Sequence, residues 1–190
     1  MKQILKTALL MTIVTTVLFG LFYPLAVTGL AQLLFPSKAN GSLIYSGNTI
    51  IGSRILGQAF SGAGYFHTRP SFAGDGYDAQ NSGGSNLGPT NHALLDRVKG
   101  DVEKAHSENP GQPIPSDLVT GSASGLDSDL SPASAEFQVA RVAKERGLSE
   151  AVVRKLVARH TLPRQFGVLG EARVNVLELN LDLDAQTKAK

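Results

Sequence analysis

The stretch TALLMTIVTTVLFGLFYPLAVTGLAQLLFPS, residues 7–37, contains no charged side chain. About 20 consecutive apolar residues cross the roughly 30 Å hydrocarbon core of a bilayer, and this stretch is longer. It therefore predicts one transmembrane helix, with the span at about residues 9–33. Pro24 lies inside the stretch and cannot donate a helical hydrogen bond, so we expect a kink or an early end of the helix near Tyr23.

A cleaved signal peptide is the alternative interpretation of the same residues. Lys2 and Lys6 would form its charged n-region, and Gly29 and Ala31 are small residues spaced like a cleavage site. The apolar region of a signal peptide is usually about 7–15 residues long, and this one is about twice that length. The length favours a retained anchor.

The flanking cations predict the orientation of the span. Lys2 and Lys6 precede it, whereas Lys38 alone follows closely and Arg54 lies further on. Since cations near a span tend to stay cytoplasmic, we expect a cytoplasmic N-terminus and an extracytoplasmic main domain. The predicted organisation is a tip and anchor over residues 1–36 and one soluble domain over residues 37–190.

The charge of the domain excludes some classes of function. Lys2 and Lys6 account for two of the 18 basic residues, and all 16 acidic residues follow the span, so the remainder is neutral. Nucleic-acid affinity depends mainly on neutralising phosphates, and we therefore predict no nucleic-acid partner. The chain has no Cys, which excludes disulfides, thiolate chemistry and Cys-ligated metals.

Local patterns predict a mixed α+β fold, that is, one N-terminal transmembrane helix followed by a single α+β extramembrane domain. Apolar runs around Ser46-Gly47-Asn48 predict a hairpin. Start and stop signals predict three helices, and alternating leucines predict a C-terminal strand. These elements are a hairpin over residues 43–51, helices over about 91–106, 132–146 and 149–162, and a strand over 173–184.

Three motifs resemble known sites and fail at a required residue. GGSNLGPTN, residues 83–91, has Pro89 where a P-loop needs Lys, so it indicates a turn into a capped helix or a polar interaction surface. GSASG, residues 121–125, lacks the central Ser of a nucleophile elbow. The EF-hand-like run from Asp127 has Pro132 where Gly is required. We therefore predict no catalytic residue and no metal, and an anchored hydrolase has no supporting constellation.

A series of short motifs along nearly the whole chain resembles one family, the C subunit of the Kdp-type bacterial potassium-transporting ATPase. The motifs include YPL (residues 23–25), TGLAQ (28–32), LGQAF (56–60), YFHTRPS (65–71), SGGSNLG (82–88), PSDLVT (115–120), SGLD (124–127), RVA (141–143), VNV (174–176) and LNL (179–181).

The resemblance implies a non-catalytic accessory subunit of a complex in the bacterial inner membrane that imports potassium. Its implied partners are a potassium-channel-like translocating subunit, a P-type ATPase subunit and a small single-span subunit. The resemblance also implies that the subunit assembles or stabilises the complex, and that it acts as a catalytic chaperone, which raises the affinity of the ATPase subunit for ATP. In that description ATP is contacted by a Gln in the helix after Ser131-Pro132, here Gln138.

The charge pattern and the implied ATP contact disagree, because ATP is cytoplasmic and the domain is predicted to be outside. The alternative is an anchored extracytoplasmic cap on the channel-like subunit with no nucleotide contact. By their spacing, Gln138 and Arg141 share a helix face that we expect to be solvated. The candidate interface residues are Tyr23, Pro24, Thr28, Gly29, Gln32, Arg69 and Asn86.

Overall fold

The apolar stretch forms one continuous helical run, Lys2–Leu34, in the computed structural model, which describes residues 1–188. The run consists of α1 (Lys2–Thr15), a π-helical segment (Thr16–Phe22) and α2 (Tyr23–Leu34). None of its residues is buried against the rest of the chain, and its length and composition suffice to cross a membrane. A bare apolar surface of this length is unfavourable in water and suited to lipid.

The helix passes through Pro24, and the early end that the sequence suggested near Tyr23 is wrong. Pro24 has no N–H, and its ring crowds the carbonyl four residues earlier. The π-helical segment Thr16–Phe22 ends just before this position. Wider turns of this kind accommodate a break in the hydrogen-bond ladder, so the chain stays helical across the proline.

A short hairpin follows the helical run. After α3 (Pro36–Ala39), strands β1 (Leu43–Ser46) and β2 (Thr49–Ser53) pair antiparallel, with a bulge at Ile51 in β2. The predicted hairpin is therefore confirmed. It completes the first of two compact units, Met1–Ser53. The predicted division at residue 36 concerns the membrane boundary and stays a prediction.

The second unit begins at Arg54 and contains a small antiparallel sheet. Its strands are β3 (Asp129–Leu130), β4 (Thr161–Leu162) and β5 (Arg173–Asn175), in the order β3-β5-β4. Together with its helices the sheet gives the predicted mixed α+β architecture after an apolar N-terminal helix.

Three helices of this unit begin within one residue of where local signals predict, although the last of them ends at Arg159 instead of about residue 162, because Thr161 and Leu162 pair into the sheet. They are α4 (His92–Glu108), α5 (Pro132–Arg146) and α6 (Glu150–Arg159). Asn91, Ser131 and Ser149 each accept a hydrogen bond from the first turn of the helix that follows, as N-cap residues do. Gly147 ends α5 in the left-handed conformation, with φ +61°.

The C-terminal segment differs from its prediction. Only β5 is extended, and helix α7 (Val176–Lys188) follows it, so the predicted strand over residues 173–184 is wrong. Leucines at every second position are also four residues apart in alternate pairs, and residues four apart lie on the same face of a helix. The same pattern therefore fits a helix, and packing against the core favours the helix over the strand. The fully buried positions have helical spacings of three and four: Val176, Leu179, Asn180 and Leu183.

The core lies where α5, α6 and α7 meet the sheet. Phe66 enters it from the long loop between β2 and α4 and is completely buried, so this loop is packed rather than loose, as its aromatic content predicts. The other completely or almost completely buried apolar residues of the cluster are Leu130, Ala135, Val139, Val142, Val153, Leu156, Val174, Val176, Leu179 and Leu183.

Candidate functional site

Asp117 holds the start of α5. Its Oδ2 accepts the N–H of Ser131 at 2.9 Å, and its Oδ1 accepts the hydroxyls of Ser131, at 3.2 Å, and Ser134. Burial opposes ionisation, but the hydrogen bonds from Ser134 and Ser131 outweigh it and hold the pKa of Asp117 below its usual value. The carboxylate also suits the positive end of the helix dipole, so it fixes the direction of α5 and the place of Gln138.

Gln138 is buried, with 3% of its surface exposed, and the expected solvated face is therefore wrong for this residue. Its Oε1 accepts the backbone N–H of His67 at 2.8 Å and an N–H of Arg141 at 2.7 Å. Its Nε2 donates to the carbonyls of His67, at 3.1 Å, and Ser134, at 3.2 Å. An amide side chain offers two donors and two acceptors, and all four are in use.

Arg141 extends the same network to two other elements. Its Nη1 donates to the carbonyls of Tyr65, at 3.0 Å, and Ala63, and its Nε lies 3.2 Å from Oε2 of Glu108 at the end of α4. The guanidinium is mostly buried, so its pairing with Glu108 and three oxygens offsets the cost of removing it from water. Gln138 and Arg141 do share a helix face, but it faces the long loop instead of solvent.

Asn180 on α7 is the residue of this site that the sequence analysis missed. It is 1% exposed, and its Oδ1 accepts the N–H of Phe66 while its Nδ2 donates to the carbonyl of Phe66, both at 2.9 Å. Gln138 binds the backbone of His67 in the same two-sided way. We call Gln138 and Asn180 the amide pair. Gln138 on α5 and Asn180 on α7 together hold two successive residues, Phe66 and His67, of the long loop that connects β2 to α4.

A cleft of about 440 Å³ opens beside the amide pair. Its walls include Phe60, Tyr77, Lys104, Phe137 and Gln138 together with the ring of His67. Burial, followed by the charge of Arg141, lowers the pKa of His67. The ring is therefore neutral at pH 7, and its Nε2–H donates to the carbonyl of Gly62 at 3.0 Å.

Several polar groups of this cleft are engaged in contacts within the chain. The hydroxyl of Ser71 donates to the carbonyl of Gly125 at 2.5 Å, and Asp101 pairs with Arg97 at 2.6 Å. Among residues 1–188, no group of three or more His, Cys, Asp or Glu side chains is placed to hold a metal ion.

The loop GGSNLGPTN forms a turn into a capped helix, one of the two interpretations left open. The N–H of Gly83 donates to the carbonyl of Ser124 at 2.8 Å, and Asn91 caps α4 through its side chain. Asn86 lies between them, exposed and with φ +52°. Asn tolerates this left-handed conformation better than most residues, and the interface role of Asn86 stays a prediction.

Arg69 connects the long loop to the segment before α5. It pairs with Asp127 at 3.2 Å and donates to the carbonyls of Thr120, at 3.3 Å, and Gly121, at 3.2 Å. Its side chain is therefore committed within the chain. An interface role for Arg69 stays a prediction.

The remaining candidate interface residues lie on α2, in the first compact unit. Tyr23 is 60% exposed, Pro24 and Thr28 are also exposed, and a methyl group added to Gly29 would meet nothing within 4 Å. Gln32 exchanges amide hydrogen bonds with Asn40 at 3.1 and 3.3 Å. A small residue beside exposed polar groups permits close approach of another helix, and the interface role of these residues stays a prediction.

Within the second unit, the predicted site residues do not converge. Gln138 lines the cleft beside the amide pair, Arg69 lines a depression next to Asp129, and Asn86 lines a third one beside α4. The structure thus supports a buried hydrogen-bond network at Gln138 and separate surface positions for the other two.

A long apolar helix followed by an α+β domain fits the class of membrane-anchored subunits. The chain belongs to the family described as KdpC, K+-transporting ATPase, c chain, whose model matches residues 5–185. The resemblance drawn from the short motifs is therefore confirmed.

Relatives match over nearly their full lengths, and each is named Potassium-transporting ATPase KdpC subunit. The protein from Koribacter versatilis (strain Ellin345) is 65% identical over 184 residues, covering 97% of this chain and 95% of the relative. The one from Acidobacterium capsulatum is 59% identical, with coverages of 95% and 97%. The one from Rhodospirillum rubrum is 56% identical, with coverages of 97% and 96%.

Proposed function

We propose that this chain is a non-catalytic accessory subunit that assembles and stabilises an ATP-driven potassium uptake complex in the bacterial inner membrane. Its apolar helix spans the membrane once with the N-terminus in the cytoplasm, and its α+β domain stands outside. There it contacts the channel-like translocating subunit, while the span packs against helices of that subunit, the P-type ATPase subunit and the small single-span subunit. Membership of the family supports the complex.

One observation favours stabilisation without nucleotide contact. The side chain of Gln138, the residue to which the family description assigns that contact, has all four hydrogen-bonding positions filled from within the chain. Any nucleotide bond would first have to break one of them in a site that is 3% exposed. The buried amide thus has a sufficient role in holding the loop at His67.

The proposed topology has a direct test because the chain lacks Cys. Ser107 is exposed near the end of α4, and a Ser107→Cys variant should react with a membrane-impermeant thiol reagent in intact cells. The matched control, Gln3→Cys, should react only after permeabilisation, since Lys2 and Lys6 hold that end inside. Labelling of Ser107→Cys only after permeabilisation would contradict the topology. Co-purification of the wild-type chain with an ATPase subunit from the same cells tests the complex.

A second candidate function is the catalytic chaperone that contacts ATP and raises the ATP affinity of the ATPase subunit. The observation in its favour is the cleft itself, because three aromatic residues and Lys104 line it together with Gln138. Aromatic faces and a cation are groups that bind a base and a phosphate.

Replacing Gln138 separates the two candidates. Gln138→Ala should lower the free energy of unfolding by about 2 kcal/mol, since water in the cleft replaces only part of the lost hydrogen bonds. Complex that retains the variant should show an unchanged KM for ATP, as should Lys104→Ala. The exposed Gln186→Ala on α7 is the stability control. A tenfold rise in KM at full retention of either cleft variant would favour nucleotide contact instead.

A further inference from the structure

The end of β4 and the segment between β4 and β5 project a group of apolar side chains into solvent. Phe166 is 90% exposed, Val168 72%, Leu169 56% and Leu162 44%. All four fall within residues 162–169, whereas exposed apolar residues that are scattered singly are normal on any surface. We call these four residues the apolar tip.

The backbone that carries the apolar tip is ordered by its own hydrogen bonds. Gln165 and Leu169 exchange both N–H···O bonds at 2.9 Å, and Val168 donates to the carbonyl of Gln165 at 3.2 Å. Phe166 is held at φ +53°, a left-handed conformation that disfavours a bulky side chain. Backbone strain of this kind persists where the surrounding structure fixes it, and it concentrates at binding sites.

The charges around the apolar tip distinguish a protein partner from a lipid surface. Attachment of a loop to anionic lipid depends on free cations beside the apolar residues. Here the neighbouring arginines are each paired with a carboxylate: Arg159 with Asp182 at 2.9 Å, Arg164 with Glu171 at 2.6 Å and Arg173 with Asp129 at 2.9 Å. A neutral, rigid and strained tip with an aromatic residue at its end fits a preformed apolar socket on another protein.

We propose that the apolar tip docks the α+β domain into an apolar socket on the extramembrane surface of the channel-like translocating subunit of the same complex. This inference rests on the proposed function, because it requires such a complex. Phe166 is the anchor of the contact, and its conformation is preorganised, so little entropy is lost when it binds.

Crosslinking from single cysteines identifies the occupant. Phe166→Cys and Val168→Cys, labelled with a benzophenone maleimide in native membranes and irradiated, should each give an adduct with one other subunit, and Ser107→Cys should not. Adducts with lipid alone, or no protein adduct beyond that of Ser107→Cys, would overturn the inference. Failure of the wild-type chain to co-purify with any subunit would instead overturn the proposed function, and this inference with it.

The strain at Phe166 allows a second test in which stability and binding move in opposite directions. Phe166→Asn relieves the left-handed strain, so the melting temperature of the isolated full-length chain should rise by a few degrees. Its affinity for complex prepared without this subunit should fall about 30-fold, as for an aromatic hot spot. Val152→Ser, a comparable exposed apolar replacement on α6, should leave affinity within twofold. An unchanged affinity for Phe166→Asn contradicts the proposal.

Discussion

The Asn180→Ala variant is expected to unfold with a free energy about 3–4 kcal/mol below that of the wild type. Asn180 is 1% exposed and binds both the N–H and the carbonyl of Phe66, whose side chain is completely buried. Truncation leaves two buried backbone groups without partners and opens a cavity next to the core. The loss exceeds that at Gln138, because Phe66 is completely buried, whereas Gln138 and His67 line the cleft.

Denaturant titration of the full-length chain in detergent micelles, followed by circular dichroism, measures this effect, since the apolar helix stays helical in the micelle. Asn180→Leu is the matched variant that keeps side-chain volume. It should lose nearly as much stability as Asn180→Ala, because the Phe66 backbone remains unpaired. If Asn180→Leu were as stable as the wild type, packing and not hydrogen bonding would account for the burial of Asn180, and the role assigned to the amide pair would be wrong.

The parts of the fold that the sequence predicts well are those whose signals lie within a few residues. Asn91, Ser131 and Ser149 cap helices that start directly after them, and Gly147 supplies the left-handed residue that ends α5. The uncharged run of residues 7–37 likewise needs no distant partner to be recognised. Local backbone chemistry determines all of these features.

The amide pair depends on residues far apart in the sequence, and no local pattern predicts it. Gln138 meets a loop residue 71 positions away, and Asn180 meets one 114 positions away. The spacing predicted a solvated face for Gln138, and a strand over residues 173–184 would put Asn180 on the face opposite the leucines; exposure is the common outcome for such polar residues. In α7 the available signal was the spacing of Val176, Asn180 and Leu183, which places the Asn on the apolar face of a helix.

The loop GGSNLGPTN shows the same difference between local signals and contacts between distant residues. Its missing Lys was enough to argue against a phosphate site, but the sequence does not show what the glycines are for. In the structure Gly83 donates to Ser124, and Gly84 lies so close to Ala123 that an added methyl would come within 3.2 Å of its carbonyl. Gly83 and Gly84 therefore allow this loop to pack, backbone against backbone, on the loop that contains Ala123 and Ser124.

Gly125 lies at the centre of that loop packing, and Gly125→Ala is expected to lower the free energy of unfolding by about 3 kcal/mol or more. Its φ is +68°, which strains any L side chain. A methyl there would also lie 2.7 Å from the backbone nitrogen of Ala73 and 2.7 Å from the carbonyl oxygen of Gly83. Both obstacles are backbone atoms, so rotation of a side chain cannot relieve the clash.

Substitutions at two other glycines separate the cost of backbone strain from the cost of the methyl clash. Gly147→Ala keeps the left-handed strain, with φ +61°, but its methyl meets nothing within 4 Å, so it should cost only about 1 kcal/mol. Gly100→Ala lies within α4 with open space around it and should stabilise the domain by about 0.5–1 kcal/mol. The excess of Gly125→Ala over Gly147→Ala, measured by the same denaturant titration, is the cost of the clash. If that excess were zero, the loops would not pack as tightly as the structure indicates.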